Sequence, residues 1–204
     1  MKIIAVGWNY KSHNEEMSQR EQPQYPTIFL KPESALLKDG KPFFLPAFSR
    51  QIEYEAELVV RISRLGKNIA PRFAHRYYQD ITVGIDFTAR DLQTRFREAG
   101  APWDLSKGFD GSAVIGEFIP LDGETAIAHT AFSLQIDGKT VQQGNTADLI
   151  FPVDEIIAYV SQFYTLKIGD LIYTGTPAGV GPVQIGNHLQ GFIGDREVLN
   201  FHVK

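Results

Sequence analysis

Residues 53–62 read EYEAELVVRI, and this stretch decides how the fold is interpreted. In a β-strand, residues two apart point to the same face and lie about 6.5–7 Å apart. One face of this strand would be apolar, comprising Tyr54, Ala56, Leu58, Val60 and Ile62. The other face would carry Glu53, Glu55 and Glu57. Taken alone, the stretch favours a half-exposed strand with a solvated acidic face. A face that collects negative charge to hold a cation is the alternative.

Short strands and turns surround this stretch on both sides. Eighteen glycines and eleven prolines are spread along the 204 residues, with no low-complexity linker and no repeat. Strands are predicted at 2–6, 27–32, 42–46 and 81–87, with a hairpin at 132–142 around Asp137-Gly138 and further strands in the last forty residues. Helices are predicted from Pro71, from Thr88 to Gly100 and over 152–164. The sequence thus predicts a β-rich α+β protein with few helices and a single domain over 1–204.

The composition argues against several classes of protein. The net charge is -4, so the chain has no basic footprint for nucleic acid. No apolar run approaches the roughly 18–20 residues that a membrane span needs. The start MKIIAVGWNY has too short an apolar core for a signal peptide. There are no cysteines, which excludes disulfides, thiolate metal sites and a cysteine nucleophile. We therefore expect a cytoplasmic protein whose partner is neither nucleic acid nor a membrane.

The glutamates at 53–57 form the first candidate site. Like charges on one strand face repel each other, and the repulsion grows where the face is partly buried. A hard divalent cation such as Mg²⁺, which takes oxygen ligands, would turn this repulsion into a binding site. Asp86 is a candidate third carboxylate because it lies where strand 81–87 meets the next helix. The alternative role for Asp86 is that of a helix cap or turn residue.

Three further segments carry candidate chemistry. His13 lies three residues before Glu16 in the polar segment 11–25, and a carboxylate beside an imidazole can orient a general base. Lys107 in PWDLSKGF could contact an anionic substrate. The glycine-rich stretch YTGTPAGVG at 173–181 could bind an anion through its backbone N–H groups. Each has a plainer interpretation, as a polar surface segment, a solvated lysine and a turn, and taken singly the plainer one is favoured.

Together and in order, these segments resemble one known family, the fumarylacetoacetate hydrolase superfamily. Its motifs are matched by VGWNYKSHNEEM, FLKPESAL, EYEAELVV, GIDFTARDLQ, PWDLSKGFDG and GDLIYTGTPAGVGPV. The match runs from residue 3 to residue 203 and is nearest to the small single-domain branch of acylpyruvate hydrolases and oxaloacetate decarboxylases. The resemblance implies a mixed β-roll like that of the family's C-terminal domain, and a homodimer.

The resemblance also implies residue roles. The ligands of Mg²⁺, or of Mn²⁺, would be Glu55, Glu57 and Asp86. Glu53 lies one step outside the E-x-E pair and is not included among them. A base dyad on a mobile lid over 11–25 would comprise His13 and Glu16, and the catalytic lysine would be Lys107. The substrate would be contacted by Arg90, Gln93 and Thr176.

The activity implied is metal-dependent cleavage of a carbon–carbon bond in a small 2-oxo acid, through the enolate of pyruvate held by Mg²⁺. An acylpyruvate hydrolase and an oxaloacetate decarboxylase both fit. One alternative is an isomerase or tautomerase of a 2-hydroxy-dienoate or of oxaloacetate, which could dispense with the His13–Glu16 dyad. Another is a binding protein that holds a carboxylate ligand without turnover. The dyad and Lys107 favour an enzyme, because binding alone needs no base.

One position departs from the family pattern. Relatives commonly carry Arg or a similar polar residue in V-G-x-N-Y, where this chain has Trp8. A tryptophan that lines the pocket would shift substrate preference away from acidic groups.

Overall fold

The computed structural model describes residues 1–17, 22–121 and 126–204. Short strands are the most numerous regular elements among the described residues. They are β1 (Ile3–Gly7), β2 (Thr27–Lys31), β3 (Leu36–Leu37), β4 (Ile52–Tyr54), β5 (Ala56–Ile62), β6 (Tyr78–Asp86), β7 (Thr88–Ala89), β8 (Ala113–Ile115), β9 (Ile119–Pro120), β10 (Ala131–Ile136), β11 (Lys139–Asn145), β12 (Leu171–Tyr173), β13 (Gly181–Pro182), β14 (His188–Ile193) and β15 (Arg196–His202).

The strands form three sheets. The largest is a mixed sheet curled into a half-barrel, with the order β2-β1-β12-β5-β6-β8-β3 and with β9 paired to β6. Its parallel pairs are β1 with β12 and β3 with β8. A four-stranded sheet has the order β11-β10-β14-β15, and a three-stranded one the order β13-β4-β7. The prediction of a β-rich mixed β-roll with few helices is confirmed.

The decisive stretch 53–62 forms two strands rather than one. β4 pairs with β7 and β13 in the three-stranded sheet, whereas β5 pairs with β6 and β12 in the half-barrel. Glu55 is the residue between them, where the chain passes from one sheet to the other. The predicted apolar face is buried throughout in the main hydrophobic core, as Tyr54, Ala56, Leu58, Val60 and Ile62 all show. The predicted solvated acidic face is wrong, because the three glutamates are buried too.

Two other predicted elements differ from the structure. Residues 42–46 form no strand, and only Phe43 makes an isolated bridge, to Val203. Prolines at both ends of this segment remove N–H donors that a continuous ladder would need. The helix predicted from Pro71 is a 3₁₀ helix, Pro71–Tyr77. The Asp137-Gly138 hairpin is confirmed, since both residues have the positive φ that a type I′ turn requires.

The α-helices are few and short. They are α1 (Lys11–Glu16), α2 (Arg90–Ala99), α3 (Asp104–Lys107) and α4 (Val153–Phe163). α2 ends at Gly100, which has the left-handed conformation of a C-cap, as its sequence predicted. The predicted lid 11–25 lies partly outside the described residues, and α1 covers its beginning. None of the helices in the described ranges is long and apolar enough to cross a membrane.

Candidate metal and substrate site

The carboxylates of the candidate site meet where the chain crosses between the half-barrel and the three-stranded sheet. Glu55 lies between β4 and β5, and Asp86 ends β6 just before β7 leaves for the same small sheet. The backbone N–H of Asp86 donates to the carbonyl oxygen of Glu55 at 2.8 Å, which fixes the two crossings side by side. Glu57 follows in β5 and lies opposite Gly84, so no neighbouring side chain stands at its cross-strand position. The fold therefore brings Asp86, from a separate strand, next to the neighbouring pair Glu55 and Glu57.

Glu55, Glu57 and Asp86 form a compact buried triad. Each offers a carboxylate oxygen, and these three oxygens lie within 4.8 Å of one another. The residues are 5%, 2% and 0% exposed, respectively. Three buried carboxylates at this separation repel strongly unless a cation lies among them. Hard oxygen donors in this number suit a divalent cation such as Mg²⁺ or Mn²⁺. The residues present fit such an ion.

Glu57 carries the clearest sign of this repulsion. Burial raises the pKa of Glu57 well above its usual range, and the nearby Asp86 and Glu55 raise it further. One of its oxygens, Oε2, accepts the N–H of Gly175 at 2.7 Å, which offsets only part of the effect. Gly175 has φ +104, and a Cβ there would lie 2.7 Å from the Cβ of Asn9. Only glycine can bring this N–H so close to the carboxylate.

Two buried lysines balance the triad. The ammonium of Lys107, on α3, donates to Oε2 of Glu55 at 2.6 Å and to Oδ2 of Asp86 at 2.8 Å. Burial would lower the pKa of Lys107, but Asp86 and Glu55 outweigh it and raise the pKa, so the group stays charged. Lys31, at the end of β2, lies 2.6 Å from Oδ1 of Asp86. Its ammonium also donates to the carbonyl oxygens of Lys107 and Ser112.

Arg90 supplies the third cation, from the first turn of α2. Its Nε donates to Oε2 of Glu53 and a terminal nitrogen to Oε1 of Glu55, both at 2.6 Å. The other terminal nitrogen donates to Gln93 Oε1 at 2.6 Å. Burial would raise the pKa of Glu55, yet Lys107 and then Arg90 outweigh it and hold the pKa well below its usual range. Glu53 thus pairs with an arginine beside the triad.

His13 and Glu16 meet as their spacing predicted. Nδ1 of His13 lies 3.5 Å from Oε2 of Glu16, which is long for a hydrogen bond. Both oxygens of Glu16 also accept the N–H of Gly179, at 3.1 Å, which ties α1 to the glycine-rich segment. His13 is 5% exposed, and burial lowers its pKa, so the imidazole is neutral near pH 7. A neutral imidazole oriented by a carboxylate can accept a proton.

Eight of the nine predicted residues line one cavity of about 20 Å³, named here the acidic cavity: His13, Glu55, Glu57, Asp86, Arg90, Gln93, Lys107 and Thr176. Glu16 is the exception and contacts the cavity through His13. The hydroxyl of Thr176 is engaged by protein groups: it donates to the carbonyl oxygen of Ala56 at 2.9 Å. It also accepts from Gln142 Nε2 at 2.8 Å.

Sequence reasoning missed Lys31 and Gln142 in this region, and it left Glu53 out of the site. Lys31, Gln142 and Glu53 are buried, and each makes a polar contact to a residue of the acidic cavity. The FLKP motif contained a signal for Lys31. A lysine that continues a run of apolar strand residues is a candidate for burial with a charged partner. Gln142 carried no such signal, because it lies in a hairpin strand that is mostly polar.

Comparisons with known proteins agree with the fold. The family model described as Fumarylacetoacetate (FAA) hydrolase C-terminal matches residues 2–204. An oxaloacetate tautomerase of Escherichia coli is 39% identical over 189 residues, which cover 92% of this chain and 86% of the relative. A mitochondrial oxaloacetate decarboxylase of Dictyostelium discoideum is 41% identical over 186 residues, which cover 91% and 85%. The crystal structure of fumarylpyruvate hydrolase from Pseudomonas aeruginosa in complex with Mn²⁺ and pyruvate has a TM-score of 0.91 at 37% identity, covering 100% of this chain and 89% of that one.

Proposed function

Because this chain belongs to the fumarylacetoacetate hydrolase family, we propose that it cleaves a carbon–carbon bond in a small 2-oxo acid with the help of Mg²⁺ or Mn²⁺. Hydrolysis of an acylpyruvate is the leading reaction, and decarboxylation of oxaloacetate is the related one. One observation carries the proposal: a buried carboxylate triad, a charged lysine and a neutral histidine line the same cavity. This set combines metal ligands, a charge stabiliser and a base.

The cation would be held by Glu55, Glu57 and Asp86. When bound, it supplies Lewis-acid stabilisation for the negative charge that develops on the carboxylate and 2-oxo end of the substrate. Arg90 and Gln93 stand beside the triad, joined to each other at 2.6 Å, and orient that end of the substrate. Thr176 borders the same cavity. Its hydroxyl already donates to Ala56, so it contributes shape and an oxygen acceptor.

His13 begins the hydrolysis by taking a proton from water. Since Nδ1 faces Glu16, Nε2 is the nitrogen left to accept that proton. The hydroxide adds to the distal carbonyl carbon of the acylpyruvate, and the bond between this carbon and its methylene neighbour breaks. The electron pair passes to the methylene carbon as the enolate of pyruvate. The protonated His13 then returns its proton to that carbon, which gives pyruvate and a carboxylic acid.

Lys107 offsets the charge of the enolate. Its ammonium is buried, stays protonated beside Glu55 and Asp86, and is oriented before any substrate arrives. Preorganised charges of this kind act strongly where water is excluded. Decarboxylation of oxaloacetate produces the same enolate, with carbon dioxide as the leaving group and no attack by water. Lys107 therefore serves both reactions, whereas His13 as a base for water serves only the first.

A second candidate function is the tautomerisation of oxaloacetate. The relative from Escherichia coli that bears this name, at 39% identity, supports it. Tautomerisation moves a proton between carbon and oxygen and needs no activated water. The two functions therefore differ in how far they depend on His13. We expect His13→Ala to abolish acylpyruvate hydrolysis, and full retention of a tautomerase activity in this variant would favour the second function.

The first experiment follows the enol absorbance of acetylpyruvate with purified protein, with Mg²⁺ and with chelator. Oxaloacetate is tested in parallel, for both pyruvate formation and enol–keto exchange. We expect metal-dependent loss of acetylpyruvate that disappears in Glu55→Ala. Glu117→Ala, whose side chain is 70% exposed and outside the site, is the matched control. Inactivity on acetylpyruvate together with rapid enol–keto exchange would replace hydrolysis by tautomerisation.

The same family membership supports two further proposals: the protein is a homodimer and works in the cytoplasm. Light scattering of the purified protein tests the first, because a dimer would have twice the mass of 22.9 kDa. A measured mass of one chain would contradict it. Cell fractionation tests the second.

A further inference from the structure

One side of the acidic cavity is aromatic. Trp8, Phe29 and Trp103 line it together with the carboxylates and are named here the aromatic wall. Trp103 meets Trp8 edge-on at 6.3 Å between ring centres and meets Phe29 edge-on at 5.8 Å. The wall thus presents ring surfaces. Its side-chain hydrogen-bond donors are the indole N–H groups of Trp8 and Trp103.

Trp8 is held firmly in this wall. Its ring stacks on His13 with 5.9 Å between centres and 23° between planes. The guanidinium of Arg97, itself exposed, lies 4.8 Å from the Trp8 ring centre. The backbone of Trp8 has φ +62, which is uncommon for a residue other than glycine. These ring contacts place Trp8 beside the proposed base, where it borders the space that a substrate would occupy next to His13.

In the part of the chain that the structure describes, no buried cation around the cavity is left for a second substrate carboxylate, and the nearest exposed one, Arg97, lies over the Trp8 ring at the surface. Among the described residues, the buried charged groups here are four acids and three bases: Glu53, Glu55, Glu57, Asp86, Lys31, Arg90 and Lys107. Each of the three bases already pairs with one or two of the acids. The net charge of this set is minus one. A divalent cation and one substrate carboxylate bring it to zero, so a further carboxylate would be buried without a partner.

The surface beyond the aromatic wall also disfavours a distal carboxylate. Phe29 and Trp103 also border a depression of about 450 Å³ on the outer side. Of the described residues that line it, Asp104 alone is charged, and it is an acid. A substrate group that reached past the wall would therefore meet apolar surface and a negative charge.

We infer that this site selects 2-oxo acids whose distal group is uncharged, and that the aromatic wall with Trp8 at its centre rejects a distal carboxylate. The inference rests on the proposed function and narrows its substrate class to acylpyruvates with a neutral acyl group. Trp8 acts as a specificity-determining residue. The stacking surface favours a methyl or other apolar group, while the neutral charge sum disfavours a dianion.

A binding experiment tests the selectivity without requiring turnover. Calorimetry on the Mn²⁺-loaded protein compares 2-oxopentanoate with 2-oxopentanedioate, which share a five-carbon chain and differ by the distal carboxylate. We expect the monoanion to bind at least about tenfold more tightly, a difference of about 1.4 kcal/mol. Trp8→Arg, which places a cation in the wall, should reduce or invert this ratio. Trp8→Phe keeps an aromatic ring and should preserve it.

The outcomes test the selectivity, the role of Trp8 and the proposed function separately. Equal or tighter binding of the dianion by the unaltered protein overturns the selectivity, whether or not Trp8→Arg folds. An unchanged ratio in a folded Trp8→Arg variant overturns the role of Trp8. Turnover is measured separately, as kcat/KM for acetylpyruvate and for oxaloacetate. Selective binding without turnover of either substrate would contradict the proposed function, whereas turnover with a preference for oxaloacetate would contradict the selectivity.

Discussion

The ammonium of Lys31 lies 2.6 Å from Oδ1 of Asp86, and both side chains are almost completely buried. Lys31 also donates to the carbonyl oxygen of Lys107, so one side chain touches a proposed metal ligand and the backbone of the proposed catalytic lysine. Burial lowers the pKa of Lys31, and Asp86 opposes this effect. The contacts of Lys31 therefore connect β2 with the end of β6 and with α3. They fix the relative positions of three elements that surround the proposed site.

Lys31→Met should destabilise the metal-free protein. The variant leaves Asp86 with one buried cation in place of two, and breaking a buried ion pair typically costs about 3–5 kcal/mol. Urea unfolding in chelator should show a loss of this order. Mn²⁺ should recover part of it, because a bound cation neutralises the same carboxylate. Lys41→Met, at an exposed position, is the control and should be close to the unaltered protein. Equal unfolding midpoints for both variants would contradict a role for Lys31 in holding Asp86.

The fold was predictable where local pattern and tertiary structure agree. Alternation in 54–62 identified the face that packs in the main core, and Asp137-Gly138 identified its hairpin, because both signals lie within a few residues. The change of sheet at Glu55 was not predictable, since a strand that continues and one that crosses to another sheet share the same alternation. Pairing partners decide between them, and these come from strands far away in sequence.

The residues of the site were more predictable from the sequence than the hydrogen bonds and ion pairs among them. Nine residues were proposed from motifs, and eight of them line the acidic cavity, while their roles stay predictions. The partners of these residues could not be predicted. Glu53 alternates with Glu55 and Glu57 and shares Arg90 with Glu55, yet its carboxylate is not one of the three that lie together. Glu53 belongs to β4, which is in a different sheet from β5, and alternation alone does not show this.

Glu57→Gln should remove a pH dependence of stability in the metal-free protein. Burial, with Asp86 and Glu55, raises the pKa of Glu57 in the folded state above the value of about 4.5 expected when unfolded. Between these two values the folded state binds more protons, so stability falls as pH rises toward the folded-state pKa. The advantage of Gln over Glu should therefore grow with pH.

Thermal unfolding in chelator from pH 4 to pH 8 measures this effect, and the same variant should lose the stabilisation by Mn²⁺. Glu117→Gln, at an exposed position, provides the comparison. A Glu57→Gln variant that lost stability relative to the unaltered protein with increasing pH would show that the sign is wrong.

Glu53→Gln should weaken substrate binding and leave metal binding intact. Glu53 pairs with Nε of Arg90 and contacts none of the triad. A charge-assisted hydrogen bond of this kind contributes about 1.5–3 kcal/mol. Loss of part of it should raise KM for acetylpyruvate about tenfold, while the Kd for Mn²⁺ changes less than twofold. A large change in the Kd for Mn²⁺ would instead place Glu53 among the metal ligands, where the E-x-E motif does not put it.

Glu16→Gln should shift the acid limb of the pH–rate profile to lower pH. Burial lowers the pKa of His13, and the carboxylate of Glu16 is one of the groups that oppose this effect. Removing its charge should lower the pKa of His13 further, so His13 stays an unprotonated base at more acidic pH. The maximal rate should fall about tenfold to a hundredfold, because the imidazole loses its orienting partner.

Glu15→Gln is the matched control for this shift, since Glu15 is adjacent in α1 and exposed. The profile of kcat/KM for acetylpyruvate between pH 4.5 and pH 8 gives the measurement. A limb that stays in place in Glu16→Gln, or moves to higher pH, would mean that the titrating base is a group other than His13. In that case the 3.5 Å contact between His13 and Glu16 would serve to dock α1 on the glycine-rich segment through Gly179, and hydrolysis would need a different base.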